Sequence, residues 1–258
     1  ILGMVINEIC LMNENKQTTA ILIPAYNEAA TIRDLAVRCL QYLDTVIVVD
    51  DCSTDDTIQQ LDGLAVTILK NDINSGKAAS LWKGMQYALT LNMQSIITLD
   101  GDGQHSPEDV PLLLEAAREN KDHLIIAARL KNRDQAPSAR LKANNFADFW
   151  VSWAAGQKIS DSQSGYRLYP SSLIINESLT VNTKHGFVFE SEIIIDAVRL
   201  GFSCHTVAID SVYHSNARAS HFRPVADITK IVLMISWKLI SRGMYLQGLW
   251  GAYTKKAA

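Results

Sequence analysis

The sequence lacks several features that would direct the search for a function elsewhere. It has no apolar run of the length, about 20 residues, that crosses a bilayer. It has no long Lys/Arg run and a net charge of −3, which excludes a broad basic surface for nucleic acid. It also lacks CxxC pairs and metal-ligand spacing among its cysteines, which favours free thiols in a reducing cytoplasm. The cysteines are Cys10, Cys39, Cys52 and Cys204.

The N-terminal stretch ILGMVINEICLMNENKQTT begins with apolar residues but does not resemble a targeting segment. Asn7 and Glu8 interrupt it, and no basic region or small-residue cleavage site accompanies it. We therefore expect neither a signal peptide nor a membrane span here. The chain of 258 residues is 48% hydrophobic, which is enough to bury a full core in one large domain.

From residue 20 onwards, short apolar runs alternate with segments of helical period. The runs AILIPAY, TVIVVDD, VTILKN, SIITLDGDG and HLIIAAR are typical of buried strands. Between them lie the predicted helical segments NEAATIRDLAVRCLQYL, STDDTIQQL, SGKAASLWKGMQYALTL and PEDVPLLLEAARE. This alternation predicts an α/β fold with a buried, mostly parallel sheet flanked by helices.

Ligands of such folds collect at the carboxyl ends of the strands, so the residues that follow each strand belong together. Those residues are Pro24, Tyr26, Glu28, Asp50, Asp51, Ser75, Gly76, Lys77, Asp100, Asp102 and Gln104.

The segment LDGDGQ places two carboxylates, Asp100 and Asp102, on either side of one glycine. Carboxylates at this spacing can converge on one Mg²⁺ or Mn²⁺ ion, which takes its remaining oxygens from water and a diphosphate. Lys77, at a helix start, would add positive charge for the same phosphates. The structural alternative is that the two aspartates only form a turn and cap the helix that follows.

Two further side chains suit a nucleotide base. The Tyr26 ring can stack on it, and the Asp51 carboxylate can accept a hydrogen bond from a ring N–H of either uracil or guanine. The alternatives are that Tyr26 packs in the core and that the segment DDCSTDDT starts a helix capped by Ser53 or Thr54.

Four ordered motifs together resemble the inverting family 2 glycosyltransferases of GT-A fold. They are ILIPAYNEAATI, VIVVDDCSTDDT, NSGKAASLWKGMQYAL and ITLDGDGQHSPEDVPLLL, and the resemblance extends from about Ala20 to about Ile209. It is strongest to the branch of dolichyl-phosphate mannose synthases and bacterial undecaprenyl-phosphate sugar transferases. The resemblance implies that Pro24, Tyr26, Glu28 and Asp51 hold the nucleotide. It implies that the metal and the sugar diphosphate are held by Asp100, Asp102 and Gln104.

The segments DSQSGYRLYP and GFVFESEIIIDAVRLGFSCHTVAI resemble the acceptor side of this family. An alcohol acceptor requires a general base, for which Glu190 is the first candidate and Asp161 the second. The alternatives are that Glu190 orients Arg167 and that Asp161 caps a turn. A phosphate acceptor is already anionic near neutral pH and requires no base.

Arginines after the DxD motif are candidates for phosphate binding, because a guanidinium offers a fork of donors. They are Arg129, Arg133, Arg140, Arg167, Arg218 and Arg223. Arg129 and Arg140 resemble positions that contact phosphates in the dolichyl-phosphate mannose synthase branch. The segment NARASHFRP departs from that branch, which has R-x-x-G-x-S-K here, and keeps only its Arg, Ser and basic character.

The C-terminal segment DITKIVLMISWKLISRGMYLQGLW predicts an amphipathic helix, with Lys230, Lys238 and Arg242 away from its apolar face. The apolar face comprises Ile228, Ile231, Val232, Ile235 and Leu239. This face could lie in a membrane interface or pack on the catalytic domain. The predicted organisation is a catalytic domain over 18–225, with a nucleotide-sugar and metal half (18–130) and an acceptor half (131–225), and a C-terminal helix and tail (226–258).

These expectations describe a metal-dependent glycosyltransferase that moves a sugar from a GDP- or UDP-sugar to a lipid, polyprenyl-phosphate-like or other amphiphilic acceptor. It would act in the cytoplasm or peripherally on the inner face of the cell membrane. One alternative is a non-catalytic nucleotide-sugar-binding protein. Another is a haloacid-dehalogenase-like phosphatase, which also places a DxD motif after a strand, although Gln104 and the position of the motif in mid-chain disfavour it.

Overall fold

The strands within the described part of the chain form one seven-stranded sheet. The computed structural model describes residues 18–131, 138–183, 188–210 and 224–254. The strands are β1 (Thr19–Ala25), β2 (Thr45–Asp50), β3 (Thr67–Lys70), β4 (Ser95–Thr98), β5 (Leu124–Arg129), β6 (Arg167–Pro170) and β7 (Cys204–Ile209). Their order across the sheet is β3-β2-β1-β4-β6-β5-β7.

Helices cover both faces of this sheet. They are α1 (Ile32–Cys39), α2 (Lys77–Thr90), α3 (Val110–Glu119), α4 (Ser138–Ala155), α5 (Ser171–Ile174), α6 (Val188–Arg199), α7 (Pro224–Ile240) and α8 (Leu246–Thr254). Short 3₁₀ turns span Gln59–Leu61 and Pro107–Asp109.

Alternate residues of β1 enter two different hydrophobic layers, as the two-residue period of a strand requires. Leu22 packs in the layer that contains Ala78 of α2 and Val151 of α4. Ile23 packs in the opposite layer with Leu35 of α1. Because both faces are buried, the strand reads as a continuous apolar run, and the predicted α/β fold with a mostly parallel sheet is confirmed.

One strand departs from the parallel pattern. β6 pairs antiparallel with both β4 and β5, with Arg167 opposite Thr98 and Ile126. Its amino end therefore lies at the sheet edge where its neighbours have their carboxyl ends. As a result, the segment just before it, residues 161–165, joins the strand-end loops.

The helix predicted for STDDTIQQL is largely absent, and only the 3₁₀ turn Gln59–Leu61 forms there. The Oγ of Ser53 accepts a hydrogen bond from the backbone N–H of Asn27 at 2.8 Å. The Thr54 N–H donates to Oδ1 of Asn27 at 2.7 Å. The predicted capping role is therefore wrong: this polar segment forms bonds across to the loop after β1 rather than starting a helix.

The structure decides between the two predicted roles for the apolar face of α7. Ile231, Ile235 and Leu239 are buried in the same layer as Ile194 of α6, so these residues pack on the domain that contains the sheet. Val232 is 44% exposed, and its predicted place on the same face is wrong. Lys238 is also partly buried, with its Nζ 2.6 Å from Oδ1 of Asp196. Ile228 lies in the helix, but its side chain is outside the described part of the chain. No helix in the described ranges is both long and apolar enough to cross a membrane.

α8 packs tightly against α4 through two glycines. A Cβ added to Gly248 would lie 2.7 Å from the carbonyl oxygen of Trp153, and one added to Gly251 would lie 2.4 Å from that of Gly156. The indole N–H of Trp153 also donates to the Met244 carbonyl at 3.1 Å. These contacts hold α8, and the turn that joins it to α7, against α4, one of the helices that cover the sheet.

We expect Ile235→Ala to lower the free energy of unfolding by about 2–5 kcal/mol, the range for large-to-small changes in a core. Trp237→Ala, two residues along the same helix but 71% exposed, is the matched control and should change it by about 0.5 kcal/mol or less. Urea denaturation measures both values. Equal effects of the two substitutions would contradict the packing of α7.

Candidate active site

Hydrogen bonds join the loops after β1 and β2 at the carboxyl edge of the sheet. Besides the bonds of Asn27 to Ser53 and Thr54, the backbone N–H of Glu28 donates to Oγ1 of Thr57 at 2.7 Å. Asn27 adopts a left-handed conformation with φ of 57°, which asparagine tolerates better than most residues. The two loops that contain Tyr26, Glu28 and Asp51 therefore form one rim.

Asp51 is buried and holds the loop that leads into α2. Its Oδ1 accepts hydrogen bonds from Asn71 Nδ2 and the Ser75 N–H, both at 2.8 Å, and its Oδ2 accepts from the Gly76 N–H at 2.7 Å. A carboxylate offers about four lone-pair sites, so one acceptor site remains for a base N–H. The residue predicted to bind the nucleotide also positions the start of the helix that carries Lys77.

The DxD turn lies directly against the end of β1. A Cβ added to Gly101 would be 3.2 Å from the Pro24 carbonyl oxygen and 3.2 Å from Cγ of Glu28. Thr31 Oγ1 donates to the Gly101 carbonyl at 2.6 Å. The glycine between the two aspartates is thus needed for close approach, and it brings Pro24 and Glu28 beside the proposed metal ligands.

Within the turn, the two aspartates have different surroundings. Burial and the negative charge of Asp100 raise the pKa of Asp102, whose Oδ1 accepts the Gln104 N–H at 3.0 Å. Burial opposes ionisation of Asp100, but the nearby Lys77 charge outweighs it and lowers the Asp100 pKa. Burial lowers the pKa of the neighbouring His105 to about 4, so this imidazole is neutral at pH 7.

The described residues contain no group of three or more His, Cys, Asp or Glu side chains arranged to hold a metal. The Asp100 and Asp102 pair still fits Mg²⁺ or Mn²⁺, because such ions keep several waters and take oxygens from a bound diphosphate.

Lys77 brings the two predicted halves of the site together. Its Nζ lies 2.5 Å from Oδ1 of Asp100 and 2.8 Å from Oε1 of Glu190. Burial alone would lower the pKa of Lys77, but the two carboxylates raise it above its ordinary value. Glu190, on the first turn of α6, is buried, and this ion pair compensates its charge.

Gly165 lies directly beneath this group of charges. A Cβ at this position would be 2.8 Å from Asp100 Oδ2, 2.9 Å from Glu190 Oε1 and 3.0 Å from Lys77 Nζ. Its carbonyl accepts a hydrogen bond from Thr98 Oγ1 at 2.7 Å. The antiparallel course of β6 brings this backbone to the site. The resemblance placed the segment DSQSGYRLYP on the acceptor side, but the contact of Gly165 with the three charged groups was not predicted.

A buried chain of polar contacts positions Arg129 at the end of β5. Asp161 accepts from Arg129 Nε at 2.8 Å, Nη2 at 2.7 Å and the backbone N–H at 2.9 Å. Although burial opposes it, the Arg129 contacts lower the pKa of Asp161. Asp148 of α4 in turn accepts the N–H groups of Asp161 at 3.0 Å and Ser162 at 2.8 Å. The sequence analysis did not single out Asp148, which holds the backbone of the loop that contains Asp161.

The structure corrects the role predicted for Arg167. Its side chain is fully buried, and its guanidinium donates to the backbone carbonyls of Ser164 at 2.7 Å, Ser162 at 2.8 Å and Glu190 at 2.6 Å. It is therefore a clamp beneath the site rather than a ligand for an acceptor phosphate. Glu190 does contact Arg167, the alternative role considered for it, but through its backbone carbonyl rather than its carboxylate.

The remaining predicted arginines are less defined. Arg140 lies in the first turn of α4, and its side chain is outside the described part of the chain. Arg218 lies outside the described residues altogether, as do Arg133 and Arg223.

Comparison with known proteins adds the family. The model of glycosyl transferase family 2 matches residues 20–189. The UDP-N-acetylglucosamine–dolichyl-phosphate N-acetylglucosaminyltransferase of Methanococcus voltae is 25% identical over 88% of this chain and 95% of that protein. The polyprenol monophosphomannose synthase of Mycolicibacterium smegmatis is 28% identical over 75% of this chain and 77% of its own length.

Among solved structures, the glucosyl-3-phosphoglycerate synthase of Mycobacterium tuberculosis in complex with Mn²⁺, UDP and glucosyl-3-phosphoglycerate is similar in fold. Its TM-score is 0.60 at 21% identity, over 87% of this chain and 79% of that one. The predicted GT-A fold is thereby confirmed, and the phosphatase alternative is wrong because the family model spans the DxD segment. With its family model matched over residues 20–189, the chain belongs to glycosyl transferase family 2.

Proposed function

We propose that this glycosyltransferase moves a sugar, with inversion and with Mg²⁺ or Mn²⁺, from a nucleotide diphosphate sugar to a lipid-linked phosphate. The observation that carries the proposal is the meeting of Asp100, Asp102 and Lys77 at the carboxyl edge of the sheet. Carboxylates for a cation and an ammonium for phosphates are the groups that a departing nucleotide diphosphate requires.

On the donor side, Asp100 and Asp102 would hold the metal, with Gln104 beside them. When bound, such an ion neutralises the charge that develops on the departing diphosphate. Pro24, Tyr26, Glu28 and Asp51 would hold the nucleotide. The structurally similar synthase has been crystallised with Mn²⁺ or with Mg²⁺ and UDP, which supports a divalent ion here as well. GDP-sugars and UDP-sugars both remain donor candidates, since one Asp51 acceptor site suits either base.

On the acceptor side, the names of the relatives support dolichyl or polyprenyl phosphate. Arg129 is the described arginine best placed to meet such a phosphate, with Arg140 as a second candidate. A phosphate oxygen needs no general base. If the acceptor is an alcohol, Glu190 is the better base, because Asp161 is committed to three Arg129 donors.

We further propose that the enzyme contacts the cytoplasmic face of a membrane peripherally, through the outer faces of α7 and α8. Each helix exposes large apolar side chains at i, i+4 and i+7, opposite the face that packs on the domain. They are Leu233, Trp237 and Ile240 on α7 and Leu246, Trp250 and Tyr253 on α8, between 62% and 74% exposed. Rows of Trp, Tyr, Leu and Ile suit the boundary between headgroups and acyl chains, where a lipid-linked acceptor is found.

Asp102→Asn tests the catalytic proposal. It keeps the side-chain size but removes one anionic metal ligand. The loss of several kcal/mol of transition-state stabilisation should lower turnover to less than about one hundredth of the wild-type rate. Asp56→Asn, at an exposed aspartate of the β2 loop, is the control and should retain full activity. Turnover within about threefold of wild type at saturating Mn²⁺ would contradict the metal assignment. Donor binding without any turnover by the wild type would favour the non-catalytic alternative.

The membrane contact predicts that Trp237→Ala combined with Trp250→Ala weakens binding to anionic liposomes at least about tenfold. Burial of each large apolar side chain is worth about 1.5–3 kcal/mol, and 1.4 kcal/mol is tenfold in binding. Co-sedimentation measures the binding, and hydrolysis of the nucleotide sugar without acceptor should stay unchanged. Ile175→Ala, which removes an apolar side chain that is 63% exposed after α5, is the control. Equal liposome binding by the double variant and wild type would contradict the proposed surface.

A further inference from the structure

One ammonium serves two carboxylates that belong to different steps of the proposed reaction. Lys77 Nζ contacts Asp100, a proposed metal ligand, at 2.5 Å and Glu190, on the acceptor side, at 2.8 Å. The Lys77 and Glu190 side chains retain only 21% and 7% of their exposure. Gly165 closes the space below them, because even a methyl group there would meet all three charged groups within 3.0 Å.

In this arrangement, the Lys77 ammonium competes with any cation that would bind the same carboxylates. Asp100 Oδ1 already carries a hydrogen bond from Lys77, and a divalent ion bound to the same oxygen would be repelled by a positive charge at that distance. Buried carboxylates are costly to leave unpaired. The ammonium therefore leaves only when another positive charge pairs with the two carboxylates, or when another anion pairs with the ammonium. A nucleotide diphosphate offers the ammonium such anionic oxygens.

Building on the proposed function, we propose that Lys77 holds the cation position between Asp100 and Glu190 in the free enzyme and moves to the diphosphate when the donor binds. The exchange releases Asp100 to the metal and Glu190 to the acceptor side at the same moment. Donor and metal then bind cooperatively, and Glu190 stays neutralised until the donor is in place. Lys77 acts here as a positioning residue as well as a phosphate ligand.

Mn²⁺ binding measured by isothermal titration calorimetry tests this exchange, with and without UDP or GDP. In wild type, the better of the two nucleotides should raise Mn²⁺ affinity at least about tenfold, as expected for positive coupling between two ligands. In Lys77→Met, Mn²⁺ alone should bind about tenfold more tightly than to wild type, and the increase caused by the nucleotide should shrink. Lys77→Arg, which keeps the charge, should bind Mn²⁺ alone as weakly as wild type.

Lys83→Met is the matched control on the same helix. Lys83 Nζ donates to the Lys70 carbonyl at 2.5 Å and to Asn71 Oδ1 at 2.9 Å, with no carboxylate among these contacts. In the titration with Mn²⁺ alone, this variant should behave as wild type. A Lys77→Met protein with wild-type Mn²⁺ affinity but weakened nucleotide binding would overturn the exchange and leave Lys77 a simple diphosphate ligand. Failure of wild type to bind Mn²⁺ with either nucleotide would instead contradict the proposed function.

A second measurement does not depend on the folding of Lys77→Met. In ¹⁵N-lysine-labelled wild type, the buried Lys77 ammonium should give a resonance that is identified by its loss in Lys77→Arg. Addition of Mg²⁺ with the binding nucleotide should shift this resonance, whereas addition of Mg²⁺ alone should leave it nearly unchanged. An unshifted resonance in the presence of saturating nucleotide would overturn the proposal.

Discussion

The ion pair of Lys77 with Asp100 and Glu190 is the contact on which the rest of the site depends. It joins the start of α2, the loop after β4 and the first turn of α6, three elements that are distant in the sequence. Because buried charges are tolerated only when they are paired, the three elements must assemble in this register. The nucleotide loop follows from the same constraint, since the bonds that Asp51 forms to Ser75 and Gly76 set where α2 begins.

The proposed acceptor side is built from buried polar groups rather than from apolar packing. Arg167 donates hydrogen bonds to backbone carbonyls of the loop before β6, and Asp148 accepts hydrogen bonds from backbone N–H groups of the same loop. Backbone acceptors and backbone donors of this loop therefore both have partners. A loop held in this way can keep Asp161 in its left-handed conformation, with φ of 52°, and present Arg129 in one orientation. Hydrogen bonds to charged groups of this kind contribute about 1.5–3 kcal/mol each, which favours a rigid acceptor site.

The C-terminal helices have two apolar faces with different roles. The face of α7 that contains Ile235 completes the core, and the face that contains Trp237 is exposed. α8 repeats the arrangement, with Gly251 against α4 and Trp250 outside. The exposed apolar rows, which lie opposite the buried faces of α7 and α8, are consistent with the proposal that a lipid surface lies there.

The sequence by itself determined the strands from β1 to β5, the residues that follow them and the family motifs, because buried parallel strands read as continuous apolar runs and their carboxyl ends must converge. Asp51, Lys77, Asp100 and Asp102 were predicted as site residues in this way. Only the tertiary structure decided that Lys77 pairs with Glu190, that Arg167 is a buried clamp and that Asp148 supports Asp161. These contacts depend on the antiparallel course of β6 and on which apolar face of a helix meets the core. Local periodicity carries neither piece of information, because a run of apolar residues does not specify its distant partner.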